Sequence, residues 1–463
     1  MTLAALPNLP QVAAELRSGE RSCVDLVHAA LAARAASLDE VGPYTTWNLE
    51  DAERKACALD LAFRAGLDAG PLQGIPVSIK DLIGVRGWPT YAGTDRPLPE
   101  CWQTEGAIVS RLRSQLCVFM GKTQMVELAF GGLGTNAHWG TPRNPWDLVT
   151  HRVPGGSSAG AGVSLVEGSA LLAFGTDTAG SVRIPASMTG TTGLKTTVGR
   201  WPTDGMVPLS FTLDSVGVLA RTVRDLVFVF EAIERSFGRV EKVNVRGLDR
   251  CRIGVPDKFF REELSPGIED AFATGLRKIE RAGATLVPFE LPAAEEAYEI
   301  FRNGGLAGVE VAAFLQDAFR DALPDRMEHL DPTVRDRIVS AAALPATEYI
   351  KRRKRFEVLS RETSARMADV NAVVMPTVAI SPPSLVELED LDVYRRCNLL
   401  ALRNTSIANL LSLCALTLPV GFDALALPVG LQVLGLPGRD AEILAMGLAI
   451  ERAMDLSIDS GDS

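Results

Sequence analysis

The sequence predicts an α/β protein, one large domain in which helices cover both faces of a central sheet. Three observations carry this. Apolar, β-rich runs such as "GIPVSIKDLIG" (74–84) and "ATLVPFEL" (284–291) alternate with stretches of helical periodicity. The 463 residues suffice for a large buried core, and no repeat or clean linker divides them. Composition is globular, 47% hydrophobic and 22% charged, with no collagen-like or disordered bias.

Taken in order, residues 8–70 alternate apolar and polar at helical spacing, as in "SCVDLVHAALAARAASL", and predict two or three surface helices. The run at 74–84 follows as a strand with Lys80 at its end, and "AIVSRLRSQLCVFMGKTQ" (107–124) reads as helix then strand. Residues 131–162 are dense in Gly, Pro, Asn and Ser. Structured loops of that length inside compact domains are usually functional. "AGVSLVEGSALLAFG" (161–175) predicts a helix. A further helix is expected to be capped by Ser265, with Pro266 in its first turn. Ile268, Phe272, Leu276 and Ile279 would line one face of it, and Gly283 would close it. Residues 236–250, charged and aperiodic, mark an excursion.

Net charge is −10, spread without long acidic runs, which argues against nucleic-acid or anionic-membrane partners. Seven scattered cysteines without a C-x-x-C predict reduced thiols in a reducing compartment. "MTLAALPNLPQVAAELRSGE" lacks the charged and apolar regions of a signal peptide. The most apolar segment (406–438) is cut by Asn409, Pro419, Asp423 and Pro428, so no membrane span is expected. These features predict a cytoplasmic protein.

Several motifs compete for the chemistry. "MGKTQ" (120–124) lacks the glycine five residues before Gly121 that a phosphate-binding loop needs, position 116 being leucine. Only His28, His138, His151 and His329 could serve a Ser–His–Asp triad. His28 falls on a surface helix, His329 in a charged segment, and the other two in the Gly/Pro loop. No pair has metal-ligand spacing, so neither metal nor cofactor is expected. "RVPGGSSAGAG" (152–162) sets two serines in a glycine cluster, the pattern of a flexible turn or of a placed hydroxyl. In "GTDTAGSVRIPA" (175–186), Ser181 follows a run of small residues. That lets backbone N–H groups gather around an incoming oxygen, although an ordinary tight turn looks the same.

The order "GIPVSIKD", "PGGSSAGAG", "GTDTAGSVRIPA", with Ser157 and Ser181 24 residues apart, resembles the amidase signature family. The likeness extends through "GKTQMVELAFGG", "GTPRNPWD", "GLKTTVGRWPTDGMVP", "LDSVGVLARTVRD" and "PVGLQVLG". It spans residues 20–455 in outline and is dense over 74–226. The resemblance implies a single domain with a mixed, twisted sheet. Residues 1–70 would form a helical segment packed on the core, 71–230 the catalytic core, and 231–463 the remainder, with pocket loops after about residue 300. It implies Ser181 as nucleophile, Ser157 as a bridging serine on a cis peptide, and Lys80 as terminal base. A lysine of ordinary pKa is neutral at pH 7 only about once in 2,500, so Lys80 must be buried to serve. The backbone N–H groups of Thr178, Ala179, Gly180 and Ser181 would form the oxyanion hole. Ala179 stands where the family commonly has glycine, which puts donor geometry there in question. Asp177 and Arg183 would brace this loop.

The resemblance also suggests Gly131, Gly132, Arg337 and Leu402 as substrate-binding positions. Glutamyl-tRNA amidotransferase A subunits anchor glutamine on an aspartate whose position falls at Leu402 here, while an arginine like its partner stands at Arg337. The expected activity is therefore that of a free-standing hydrolase, monomer or homodimer, cleaving a small amide or carbamate. The alternatives are an amidotransferase A subunit acting with partner chains and an inactive binding homologue.

Overall fold

Among the described residues, a single mixed sheet of 11 strands runs through the protein. The computed structural model describes residues 7–37, 40–245, 247–256 and 258–454. The first six residues, which open the segment read as lacking a leader, lie outside these. The strands are β1 (Tyr44–Trp47), β2 (Pro76–Lys80), β3 (Val118–Thr123), β4 (Leu172–Asp177), β5 (Thr192–Lys195) and β6 (Ser215–Ala220). They continue with β7 (Arg252–Val255), β8 (Thr285–Pro288), β9 (Ala372–Pro376), β10 (Cys414–Phe422) and β11 (Pro428–Gly435). Their spatial order is β1-β3-β2-β4-β6-β5-β10-β11-β9-β7-β8. Strand β2 is parallel to both β3 and β4, whereas β4, β6, β5, β10, β11 and β9 follow one another antiparallel.

Every residue of β2, β3 and β4 is buried, which is why these strands read as continuous apolar runs instead of alternating ones. Helices flank the sheet; Ala159–Glu167, for instance, lies against β2 and β4. The N-terminal segment forms helices Leu9–Ser18, Cys23–Ala35 and Leu49–Arg64. Asn8 caps the first of these. Ser22 and Asp25 cap the second reciprocally, each side chain taking the other's backbone N–H.

Two elements differ from expectation. The helix read over 161–175 ends at Glu167, where Gly168 turns left-handed (φ +87°), and residues 172–177 become the central strand β4. The helix expected to be capped by Ser265 begins instead at Ile268, after Gly267 in the left-handed region (φ +88°). Ser265 lies two residues before the N-cap, and its hydroxyl accepts the Ser381 N–H at 3.0 Å instead. A β-carbon on Gly267 would meet the Ala424 nitrogen at 2.4 Å, which explains glycine at that corner. Gly283 closes the helix as expected (φ +105°).

Candidate active site

Topology brings the three quoted motifs to one edge. Parallel pairing of β2 with β4 sends both strands out at the same end of the sheet. Lys80 terminates β2, and the chain leaving Asp177 at the end of β4 carries Ser181 before helix Arg183–Thr189. Ends of parallel strands are where loops can converge on a ligand. The Gly/Pro loop arrives from a third direction and places Ser157 just ahead of helix Ala159–Glu167. The peptide bond Gly156–Ser157 is cis. The Ser158 N–H donates to the Ser181 carbonyl at 3.2 Å, fastening the two serine segments together.

Lys80 is wholly buried. Its Nζ donates to Ser157 Oγ at 2.7 Å, to Thr176 Oγ1 at 3.1 Å and to the Thr176 carbonyl at 3.5 Å. No carboxylate lies within ion-pairing distance among the described residues. Burial therefore dominates and pulls its pKa from 10.5 down to about 7, against the opposing pull of the Asp214 and Asp177 charges. The neighbouring strand offers a contrast. Lys122, also wholly buried, is paired with Asp81 at 3.0 Å and bonded to Thr90 Oγ1 at 2.8 Å. That is a structural ion pair, consistent with setting "MGKTQ" aside as a phosphate loop.

The Ser181 loop hangs on Asp177. Its Oδ1 accepts the Gly180 N–H at 2.8 Å and its Oδ2 the Val182 N–H at 3.2 Å. Arg183 grips the same carboxylate with Nε at 3.0 Å and Nη2 at 2.8 Å, all within a wholly buried setting. Burial pushes the Asp177 carboxyl up, but the guanidinium outweighs it and holds the pKa at about 2. Asn409 Oδ1 and the Thr405 carbonyl, at 2.7 and 2.8 Å, and Gln432 Oε1 complete the arginine's shell.

Of the four N–H groups expected to face an oxyanion, that of Gly180 is thus already donated to Asp177. Those of Ala179 and Ser181 have no acceptor among the described residues. The loop's left-handed residue is Gly180 (φ +129°); Ala179 has no positive φ, so its methyl imposes no conformational penalty. Thr405 Oγ1 props the loop from the far side by donating to the Ala179 carbonyl at 2.7 Å.

The substrate-binding candidates gather beside this core. The Gly156 N–H donates to the Gly132 carbonyl at 2.8 Å, and the Gly132 N–H to Asn398 Oδ1 at 2.8 Å. Leu402 packs on Gly132, where a β-carbon would lie 3.0 Å from its Cγ, and it joins Leu133, Ala179, Ile184 and Met188 in an apolar cluster. Gly131 lies near Asn398 and Tyr394. Arg337 stacks 4.3 Å from the Phe130 ring and hydrogen-bonds the Phe130 carbonyl. It thereby holds the chain just before Gly131. Two of the histidines take loop roles: His138 Nε2 is 2.9 Å from Glu127 Oε1, and His151 Nε2 is 2.9 Å from the Thr141 carbonyl; His28 and His329 lie on helices.

Thr176, Asp214, Thr405 and Asn398 escaped the sequence reading as site residues. Thr176 and Asp214 lie inside motifs already quoted, but nothing local marks them; only strand pairing brings them to Lys80 and Thr178. No helix among the described residues is long and apolar enough to cross a membrane.

Comparison with known proteins agrees with this geometry. The Amidase family pattern matches residues 25–444. The chain is 49% identical to 2-amino-5-chloromuconic acid deaminase of Comamonas testosteroni over 97% of this chain and 96% of that one. It is 34% identical to indoleacetamide hydrolase of Pseudomonas savastanoi over 83% and 84% of the two chains. A crystal structure of an amidase superposes with a TM-score of 0.86 at 32% identity, covering 96% of this chain and 99% of the other. This chain belongs to the amidase signature family and is a hydrolase of amide carbon–nitrogen bonds.

Proposed function

We propose that the protein cleaves the C–N bond of a small amide or carbamate through an acyl-enzyme, with Ser181 as nucleophile, Ser157 as bridging hydroxyl and Lys80 as terminal base. The observation that carries this reading is the Lys80 amine, buried without a carboxylate partner and 2.7 Å from Ser157 Oγ. With its pKa near 7, about half of such amines are neutral at neutral pH. The free amine accepts the Ser157 proton as Ser157 accepts that of Ser181. Ser181 Oγ then bonds to the substrate carbonyl carbon. The developing oxyanion faces the N–H groups of Ala179 and Ser181, with Thr178 as a further donor. The proton returns through Ser157 to the leaving nitrogen as the C–N bond breaks. Water, activated by the same route, releases the acid and restores Ser181.

The apolar cluster around Leu402 favours an apolar substrate over a zwitterion. Burying the unpaired ammonium or carboxylate of glutamine there would cost several kcal/mol. This weighs against the amidotransferase-subunit reading. A second reading of the substrate is favoured by the 49% identity to 2-amino-5-chloromuconic acid deaminase across nearly all of both chains. In it, water replaces the amino group of a small unsaturated amino acid and ammonia leaves, with no acyl group passing to Ser181. A small-molecule substrate, a cytoplasmic setting, and a monomer or homodimer complete the proposal.

The test uses the purified chain alone, without tRNA, ATP or partner. Release of amine or ammonia is followed from a 4-nitroanilide, an aryl carbamate, 2-aminomuconic acid and glutamine. Turnover of the anilide or the carbamate supports the proposal and selects the substrate class; ammonia release from 2-aminomuconic acid alone favours the second reading and contradicts the acyl-enzyme. Glutamine turnover only after adding partner subunits and tRNA, with the others inert, overturns it.

A further inference from the structure

Asp214 stands one residue before β6, which pairs with β4 so that Ser215 lies opposite Asp177. Its Oδ1 accepts the Thr178 hydroxyl at 2.5 Å, and its Oδ2 accepts the N–H groups of Leu209 and Ser210, both at 3.0 Å. Segment 209–212 is anchored in turn. Buried Glu310 accepts the hydroxyls of Ser210 at 2.5 Å, Thr212 at 2.6 Å and Tyr349 at 2.7 Å. Thr178 belongs to the loop that carries Ser181. A continuous set of hydrogen bonds therefore runs from that loop, through the carboxylates of Asp214 and Glu310, to helices Ala307–Phe319 and Ala346–Arg366.

The Asp214 carboxylate stands apart in charge. On β3, Lys122 is paired with Asp81 and, in register with Ile79, lies on the other face of the sheet from Lys80. From β4, Lys80 faces Asp177, balanced by Arg183. Helix Ala159–Glu167 carries its one carboxylate, Glu167, at the end away from Ser157, paired with Arg34 of helix Cys23–Ala35 at 3.7 Å. Asp214 has hydrogen-bond donors but no cation paired to it among the described residues, and its charge acts on Lys80 more strongly than that of Asp177. Burial pushes its own carboxyl up to about 6, so it is ionised where Lys80 begins to lose its proton.

We propose that Asp214 is a positioning residue of this site: it ties the Ser181 loop to segment Leu209–Ser210 through the Thr178 hydroxyl, and it supplies the one negative charge facing Lys80 that no cation balances among the described residues. This rests on the reading of Ser181 as nucleophile and Lys80 as base. Without the Asp214 charge the protonated amine is less favoured, so nucleophile activation extends to lower pH. Without the Thr178 hydroxyl the charge remains but the loop loses its tether.

The test is the second-order rate of Ser181 labelling by a fluorophosphonate, measured across pH and located by peptide mass spectrometry. Asp214→Asn should move the acidic limb down by about half a pH unit or more. Thr178→Val should lower the plateau about tenfold and leave the limb in place. A purely structural role for Asp214 would lower the plateau without moving the limb. A limb in Asp214→Asn coincident with wild type overturns the proposal, as does a wild-type plateau in Thr178→Val, which decides alone if Asp214→Asn does not fold. Absence of any Ser181 adduct on the wild-type protein contradicts the underlying reading instead.

Discussion

A β-carbon on Gly180 would lie 2.1 Å from Thr405 Oγ1, the hydroxyl that holds the Ala179 carbonyl. Gly180 is also at φ +129°, a conformation that side-chain-bearing residues rarely adopt. The loop in front of Ser181 is therefore shaped from both sides, by backbone conformation and by a close neighbour. Gly180→Ala must displace Thr405 or the loop, and with either the N–H groups of Ala179 and Ser181. We expect kcat to fall by about 10²-fold or more, the cost typical of one lost oxyanion donor. A variant within about threefold of wild type would show that this loop does not face the reacting oxygen.

Ser181→Ala should lower kcat by about 10³-fold or more, and Ser157→Ala somewhat less. The difference follows from position. Ser181 forms the bond to carbon, while Ser157 carries a proton between it and an amine already 2.7 Å from the relay hydroxyl. Steady-state kinetics with circular dichroism on both variants checks this. Equal, near-wild-type rates would remove both serines from the chemistry.

How much of this was legible beforehand depended on how local each signal was. Lys80, Ser157 and Ser181 each sit in a contiguous motif, so their identities could be read in sequence order. Thr176 and Asp214 reach the site through the pairing of β4 with β2 and β6, and register leaves no mark in a single sequence. Thr405 and Asn398 arrive on the helix Leu391–Leu410, more than 200 residues beyond the Ala179 carbonyl and the Gly132 N–H that they respectively bind. In 161–175 the run "LLAFG" is apolar on every side, so helix and strand could not be told apart by period. Gly168 decides it by ending the helix. Ala179 raised a doubt because its residue type was visible and its φ was not.

Burying Lys80 has a cost that shows in stability. Its folded pKa of about 7, against 10.5 ordinarily, means the unfolded chain binds more protons between those values. Stability therefore rises with pH across that window, and the penalty, on the order of 4 kcal/mol, is nearly full at neutral pH. Lys80→Met, inactive, should melt at a higher temperature than wild type near pH 7. The advantage should shrink towards pH 10. A lower Tm than wild type at pH 7 would contradict uncompensated burial.

The described residues hold no group of three His, Cys, Asp or Glu side chains placed to bind a metal ion, and the proposed base is an amine. Dialysis against EDTA should leave kcat unchanged. A loss restored by a divalent cation would demand a different activation of the nucleophile.

The central claim, that a neutral amine at position 80 activates Ser181 through Ser157, is tested most directly by kcat/KM across pH for wild type and Lys80→Arg. The wild-type profile should rise on a single limb through about pH 7 to an alkaline plateau, as Lys80 loses its proton. Arginine keeps a cation in the same place but does not give up its proton. Lys80→Arg should therefore lie about 10³-fold or more below wild type at every pH, with native circular dichroism. An arginine variant that keeps about a tenth of the activity, or a wild-type profile flat from about pH 5 to 9, would contradict it.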